Sequence, residues 1–401
     1  MNSTCAENPG LRPPEAALPG ATPHAPRPRV CFLASTTWPT IAGSRDIPVI
    51  GGAELQQSVI APELARRGFD VSMISMDFGQ EEGSVVKGVR MLKMHSPTEG
   101  LPVVRFLHPR LTSLWRALKR ADADVYYQRT SAAHTGFMAA FCRSHGRRSI
   151  YGGASDVDFM PGKQEIELPR DRLIFEYGLR HVDMVIGQNP FQVRAAHENY
   201  GRQAVLIPNC LEAPPGARGD PNGYVLWVAT VRPAKRPGLL IELAKRLPRH
   251  RFVMVGGADS GSGGKAFAQA AREAMGALPN ATVHGFLPFA EADKLFDGAR
   301  LVINTSTYEG FPNTFLQAWA RGVPTVGFVD TGSRHRGQPV YDHVANLDEA
   351  EAAIRRLMED DGAWAEASRR VQEHFREQHS VAAVGAMYEA EIERLAAWKA
   401  A

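Results

Sequence analysis

The sequence predicts an α/β protein made of two successive Rossmann-like domains, each a parallel sheet wrapped by helices, facing a central cleft. Three observations carry that expectation. The chain has 401 residues, more than one hydrophobic core usually serves, so two domains are the prior. Short apolar runs alternate with helical patterns in two successive rounds, as parallel sheets with helical crossovers require. Between the rounds lies Glu212-Ala-Pro-Pro-Gly-Ala-Arg-Gly-Asp-Pro-Asn-Gly223, whose density in Pro and Gly marks an interdomain boundary.

Residues 1–29 are rich in Pro and Ala and lack an apolar h-region, so they read as a disordered tail and not as a secretory signal. The first domain, 30–211, opens on Val30-Cys-Phe-Leu-Ala-Ser35, an apolar run of the kind buried in a parallel sheet. A loop with Trp38, Pro39 and Pro48 leads to Gly51-Gly52-Ala53-Glu54 and a helical stretch to Arg67, stopped by Gly68. Further strands are expected at Val71–Ser75, Val89–Met94, Asp124–Tyr127, Arg148–Tyr151, Asp183–Gly187 and Ala204–Ile207. The linker is 212–223. The second domain, 224–380, repeats the alternation, with strands at Tyr224–Val228, Arg251–Val255, Ala281–His284, Arg300–Asn304 and Thr325–Phe328. Its helices are expected at Pro237–Leu247, Lys265–Gly276, Ala290–Asp297 and Asn313–Arg321. Helical patterns at Asp348–Met358, Gly362–Gln378 and Val381–Ala397 close the chain, and the last segment, 381–401, is expected to pack back on the first domain. Open α/β sheets bind ligands beyond the carboxyl ends of their strands, so the cleft is where a site is expected.

Composition narrows the function. A formal charge of +3 is too small to imply nucleic-acid binding, and no nucleic-acid partner is expected. Cys5, Cys31, Cys142 and Cys210 lie far apart, without a CxxC or Cys/His pairing, which fits a reducing, cytoplasmic setting and gives no metal motif. No apolar run approaches the ~20 residues that span a bilayer. The basic stretch Arg105 to Arg120 contains no acidic residue, and Leu111, Leu114, Trp115 and Leu118 share a helical face. Two readings stay open for it: an amphipathic helix touching anionic lipid, or a stripe packed on the sheet with its charges in water.

Three stretches carry chemistry. Gly51-Gly52 open a helix after a strand and loop, where backbone N–H groups approach an anion or simply make a tight turn. Arg232-Pro-Ala-Lys235-Arg236 follows a strand, so its cations stand where a diphosphate would be neutralised; a solvated basic turn is the alternative. Asn304-Thr-Ser-Thr-Tyr-Glu309-Gly310-Phe311-Pro312-Asn313-Thr314-Phe315-Leu-Gln317-Ala again runs from strand to loop to helix. A carboxylate at Glu309 accepts hydrogen bonds from sugar hydroxyls, and amides near Asn313 to Phe315 hold phosphate. The alternative is a loop Glu facing water and a packing Gln. Gly256 to Lys265 suggests a P-loop, but the spacing is wrong and Ala266 has no hydroxyl for Mg²⁺.

Together these stretches resemble the retaining nucleotide-sugar glycosyltransferases of family 4, the group 1 type with the GT-B fold, over roughly Val30 to Leu395. Gly51-Gly-Ala-Glu54 looks like the family's amino-terminal glycine element, Val205-Leu-Ile-Pro-Asn209 like the segment closing its first domain, and Glu309 to Thr325 like its donor-site signature. The resemblance implies that Glu309 contacts the donor sugar and Lys235 the diphosphate. It also implies that Gly52 approaches the phosphate or the reacting centre, with Gly51 beside it in the donor-binding set, and that Gly310, Phe311, Pro312, Asn313, Thr314 and Phe315 line the sugar and phosphate site. It implies transfer without a cofactor or protein-bound metal, to a glycan, lipid-linked or small acceptor, with peripheral membrane contact if the acceptor is lipid-linked. Two positions depart from the pattern. Gln317 stands where the family usually grips the ribose with a second Glu, and Thr230 where an Arg precedes the Lys, with Arg232 as the replacement. In Tyr151-Gly-Gly-Ala-Ser155-Asp156-Val-Asp158 the His of many relatives is missing, and Asp156 is the candidate for orienting acceptor or sugar, or else a turn cap. The expectation is a hexosyltransferase. The rivals are a nucleotide-sugar epimerase or hydrolase of the same fold and a non-catalytic donor-binding partner.

Overall fold

The structure, a computed structural model, describes residues 27–43, 51–100, 106–259, 261 and 263–397. In the first lobe β1 (Val30–Leu33), α1 (Trp38–Ile41), α2 (Gly52–Arg66), β2 (Val71–Ser75), β3 (Val85–Val86) and β4 (Val89–Lys93) precede α3 (Thr112–Ala121). Then follow β5 (Val125–Arg129), α4 (Ala133–Ser144), β6 (Arg148–Gly152), α5 (Pro169–His181), β7 (Met184–Gly187), α6 (Pro190–Tyr200) and β8 (Ala204–Leu206). The second lobe has β9 (Tyr224–Val228), α7 (Pro237–Arg246), β10 (Phe252–Val255), α8 (Gly264–Gly276), β11 (Ala281–His284), α9 (Phe289–Lys294), β12 (Ala299–Asn304) and α10 (Asn313–Ala320). It continues through β13 (Thr325–Gly327), the small hairpin β14 (Arg334–His335) and β15 (Gln338–Pro339), and β16 (Asp342–His343). The helices α11 (Leu347–Glu359), α12 (Asp361–His374) and α13 (Val381–Ala397) end it.

Among the described residues the first sheet has the order β3-β4-β2-β1-β5-β6-β7-β8 and the second β11-β10-β9-β12-β13-β16. Every pairing is parallel except β3 with β4 in the large sheets. Strand alternation sorts side chains to two faces. Cys31 and Leu33 face the core under α3 to α6, whereas Val30 and Phe32 face the core under α2 and α13. In each sheet chain order reverses at a central pair, β1/β5 and β9/β12, and loops diverging at such a switch point leave a crevice.

Several expectations change in detail. Met1–Pro26 lie outside the described residues, as does the loop with Pro48. The expected tail reached Arg29, but Arg29 is fixed: its amide donates to Asp124 at 3.0 Å and its guanidinium pairs with Asp122 at 2.6 Å. Those partners lie more than ninety residues along the chain, so local composition gave no sign of them. Trp38 and Pro39, expected in a loop, open α1. The basic stretch forms α3, preceded by the wider turn Phe106–Leu111; Arg105 lies outside the described residues. Leu114 and Leu118 are fully buried in the sheet core and Trp115 packs on Phe141, so most of the stripe packs on the sheet, with Leu111 half-buried at its start.

The chain crosses between lobes twice. Leu211 pairs with Ser380, and the Leu211 amide donates to the His379 carbonyl at 3.1 Å. The linker is not free throughout: Gly219 and Asp220 amides donate to Arg321 and Ala299 carbonyls at 3.0 and 3.1 Å. Beyond the second crossing α13 lies on the first lobe, with Tyr388 Oη 3.3 Å from Tyr127 Oη and Glu389 2.6 Å from Arg67.

Candidate active site

The loop after β12 is built to hold one carboxylate. Glu309 Oε1 accepts from Ser306 Oγ at 2.6 Å and from Asn304 Nδ2 at 3.3 Å, and it pairs with Lys235 Nζ. Lys235 comes from the turn after β9, so the pair unites the two switch-point loops of the second sheet. Thr305 Oγ1 donates to the Lys235 carbonyl at 2.6 Å, and Trp227 Nε1 holds that hydroxyl at 2.9 Å. The three cations of this turn divide their tasks. Arg236, in left-handed backbone at φ +45°, donates to the Thr305 and Ser306 carbonyls at 2.6 and 2.9 Å, fixing the loop. Lys235 meets Glu309. Arg232 stays near the lobe boundary, 3.8 Å from Glu165 of the first lobe.

Gly310 brings the loop against the first lobe. A Cβ there would run into the Ala154 carbonyl and come within 3.0 Å of Gln188 Nε2, so only glycine permits the approach. Asn189 Nδ2 donates to the Gly310 carbonyl at 2.6 Å and to Asp156 Oδ1 at 2.9 Å, and Gln192 Nε2 adds a bond to Asp156 at 3.0 Å. Burial pushes the Asp156 carboxyl up to about 6, against the opposing effect of those two amides. Asp156 is not the turn cap. That task falls to Asp158, which accepts from the Ala154 and Ser155 amides at 2.8 and 3.1 Å.

Two helix N-termini meet beside this loop. Gly51 caps α2, and Asn313 is the first residue of α10. Asn313 Nδ2 donates to the Gly52 carbonyl at 3.3 Å, while its Oδ1 accepts from Gln56 and Asn209 at 3.1 and 3.2 Å. A Cβ on Gly52 would lie 2.9 Å from Asn313 Nδ2, so a larger residue there would displace the Asn313 side chain from its bond to the Gly52 carbonyl. The Glu54 carboxylate folds back over Gly51 and accepts from Thr36 Oγ1 at 2.6 Å, placing a negative charge at the α2 N-terminus. Behind lies Arg129, 5% exposed, whose Nη2 donates to Asn209 Oδ1 at 2.7 Å.

Some residues of the expected set are placed otherwise. The Phe311 and Phe315 side chains are buried: Phe311 packs on His379 and Trp319, Phe315 on Tyr341. The Phe315 amide donates to the Pro312 carbonyl at 2.9 Å, and Pro312 has no N–H, so Asn313 and Thr314 supply the open amides at the start of α10. The Gln317 amide is committed elsewhere. Its Nε2 donates to Asp293 Oδ1 at 2.7 Å, and Asp293 is paired in turn with buried Arg321 at 2.7 Å. The residues that sequence reasoning missed are Asn189, Gln192, Asn209 and Arg129. Each stands at or just beyond the carboxyl end of a strand of the first sheet, which was the one signal available. Among the described residues no group of three or more His, Cys, Asp or Glu is arranged to hold a metal ion, and no helix is long and apolar enough to cross a membrane.

Two parallel-sheet lobes meeting at their switch points, with a lysine–carboxylate loop on one and a glycine-led helix on the other, define the GT-B architecture. The chain belongs to the group 1 glycosyltransferases: the profile described as "Glycosyl transferases group 1" matches residues 214–378, and "Glycosyltransferase Family 4" matches residues 50–213. Sucrose-phosphate synthase from Thermosynechococcus elongatus is similar at a TM-score of 0.70 and 15% identity, covering 92% of this chain and 100% of its own. Anabaena HepE, solved in complex with UDP and glucose, gives 0.69 and 16% over 92% and 100%. The catalytic domain of starch synthase IV from Arabidopsis thaliana, bound to ADP and acarbose, gives 0.68 and 11% over 92% and 100%. No curated protein matches the sequence.

Proposed function

We propose that this glycosyltransferase moves a hexose-type sugar from a nucleoside diphosphate donor to an acceptor held on the first lobe, with retention of anomeric configuration. The observation that carries the reading is the Lys235–Glu309 pair, in the loop that leads into α10, whose first residue Asn313 donates to Gly52 of the facing lobe. The diphosphate would lie on the second lobe against Lys235, Arg232 and the Asn313 and Thr314 amides. Charge grows on the leaving phosphate as the glycosidic bond breaks, so donors already aimed at it favour the transition state over the ground state. Glu309, oriented by Ser306 and Asn304, would accept from the donor sugar's hydroxyls. Asp156, opposite it across Gly310, would orient the acceptor or the sugar. Structures of HepE with UDP and UDP-glucose support the donor class. The transfer is proposed to need no metal or other cofactor.

The test is acceptor-dependent nucleotide release from UDP-, GDP- and ADP-glucose by purified protein over a broad panel of acceptors, with and without the substitutions Glu309→Ala and Lys235→Ala. Loss of one preorganised charge-stabilising contact is expected to cost on the order of a hundredfold in kcat, while the melting temperature stays within a few degrees. Near-normal turnover in either folded variant would remove the site assignment. A second reading, a non-catalytic donor-binding partner, has one observation in its favour: Gln317 is tied to Asp293 and leaves the nucleotide one anchor fewer. Saturable nucleotide binding without any release across the donors and the acceptor panel would select it. An epimerase or hydrolase would instead convert donor in the absence of acceptor.

A further inference from the structure

The first lobe carries a cavity of about 230 Å³ between α3, the start of α4 and the segment leading into α5. We propose that this cavity receives the acceptor, and that the acceptor is a hydroxyl-bearing ring compound with a phosphate or carboxylate group held by Arg110. The inference rests on the transferase reading above and deepens it.

Position comes first. Glu165 lines the cavity, and the same carboxylate accepts from Tyr308 Oη at 3.3 Å and lies 3.8 Å from Arg232. Tyr308 precedes Glu309, so one wall of the cavity is in contact with the donor loop. A ring placed there lies on the side of the first lobe that the donor loop reaches through Tyr308.

Shape comes second. Phe106 and Phe137 stand 5.7 Å apart at 53° along the wall, with Leu114 and Ile166 beside them. The volume is below the ~300 Å³ at which drug-sized pockets begin, so it suits one ring with its substituents and not an extended chain. An apolar wall faces the C–H surface of a sugar or aromatic ring.

Charge decides the class. Both carboxylates of the lining are engaged by groups from outside it. Asp171 pairs with Arg170 at 2.8 Å, and Arg170 is itself stacked 3.4 Å over Phe106; Glu165 accepts from Tyr308 Oη at 3.3 Å and stands 3.8 Å from Arg232, a cation shared with the donor side. Arg110 lines the cavity too, yet its guanidinium has no ion-pair partner among the described residues. It lies close enough to His95 and His134 to help hold both imidazoles below their usual range, with desolvation the larger cause; His134 is pushed down to about 4. His134 is therefore neutral at physiological pH, and with Nδ1 facing Ser35 Oγ at 3.5 Å its other ring nitrogen is left for a ligand hydroxyl. The uncompensated charge is the positive one of Arg110, whose planar fork matches phosphate or carboxylate oxygens.

A soluble sugar acid or sugar phosphate and a lipid-linked phosphate present the same chemistry, so the test has an arm for each. The full chain is first saturated with whichever nucleoside diphosphate stabilises it most, which fills the other phosphate site. Glucose 6-phosphate, glucuronate and neutral glucose are then titrated calorimetrically, and sedimentation is measured with phosphatidylcholine vesicles with and without phosphatidylinositol. Wild type is compared with Arg110→Gln and Arg110→Lys. The expected result is saturable binding of at least one anionic probe, at least tenfold weaker in R110Q, partly restored in R110K, and absent for glucose. Arg110-dependent binding confined to phosphatidylinositol vesicles, whose headgroup joins a hydroxyl-bearing ring to a phosphate, supports the proposal and assigns the anion to a lipid. Anion binding that is equal in wild type and R110Q, or absent in both arms, overturns it. The nucleotide-induced rise in melting temperature shows that each variant is folded. If wild type binds no nucleoside diphosphate and releases none from a sugar donor, the transferase reading fails instead, whatever Arg110 does.

Discussion

At the scale of single residues, the sequence showed which side chains bear charge but not what neutralises them. Glu309 and Lys235 were legible because strand, loop and helix patterns placed both at carboxyl ends of strands, and the structure joins them. Gln317 was legible as a departure, yet its bond to Asp293 depends on how α9 packs against α10, which no local pattern encodes. Asp156 shows both sides of this. Its candidacy came from sequence, whereas its raised pKa comes from burial among Asn189, Gln192 and Gly310. A carboxyl whose folded pKa is about 6 binds its proton more tightly folded than unfolded. Its contribution to stability is therefore fully present below the unfolded pKa near 4 and is lost as pH rises through about 6. The substitution Asp156→Asn keeps an acceptor for both amides and removes the charge. The variant is expected to melt higher than wild type at pH 7.5, by a few degrees, and the gap should close by pH 4. If Asp156 also orients substrate as carboxylate, the rise in turnover between pH 5 and 7 disappears in the variant. A pH-independent difference in melting would show that the carboxyl is not desolvated.

Elements were easier to read than their ends. Both sheets and most helices follow from apolar runs and 3.6-residue periodicity, because burial on one face leaves that record in any amphipathic segment. The limits fail where a segment's partner is remote: Arg29 belongs to the fold through Asp122 and Asp124, and α1 forms where a loop was expected. Loop glycines carry the information that helices do not. Gly310 has no unusual backbone angle to satisfy; it is small because the loop touches the Ala154 carbonyl of the other lobe. Gly310→Ala is therefore expected to push the β12–α10 loop off the first lobe, since backbone cannot yield as a side-chain tip does. Overpacking of this kind costs roughly 1–3 kcal/mol. Turnover should fall at least tenfold. Donor affinity measured by thermal shift should drop less, because Lys235 and the α10 amides remain on one rigid lobe. Unchanged turnover would show that this contact is dispensable.

At the scale of the whole molecule, the two lobes are held together by polar contacts more than by a shared core. Leu55 of α2 does join the apolar cluster around Phe311 and Phe315. Around the cleft the polar contacts among the described residues are hydrogen bonds from Asn189 to Gly310, between Asn313 and Gly52, Gln56 and Asn209, and from Tyr308 to Glu165, with Arg232 3.8 Å from Glu165. Each is worth about 1 kcal/mol net, so the set balances opening against closure within a few kcal/mol. The two chain crossings, at Leu211 and at His379–Ser380, lie side by side and give the lobes one axis about which to move. Such a balance suits an enzyme that must admit two substrates and then exclude water from a reactive sugar. It also makes the lobe angle sensitive to single amides. Replacing Asn189 and Asn313 together by Ala removes the bonds at Gly310 and at the α2 N-terminus, leaving both cores intact. The double variant is expected to show a larger radius of gyration by small-angle scattering than wild type, with secondary structure unchanged by circular dichroism. Saturating nucleotide should recover part of the difference if the diphosphate bridges the α10 N-terminus and the Gly52 turn. Because closure then draws on binding energy, the variant should lose apparent donor affinity severalfold, with kcat falling alongside. An unaltered radius of gyration together with unaltered donor affinity would mean that the lobes are locked by the Leu55 contact and the crossings alone.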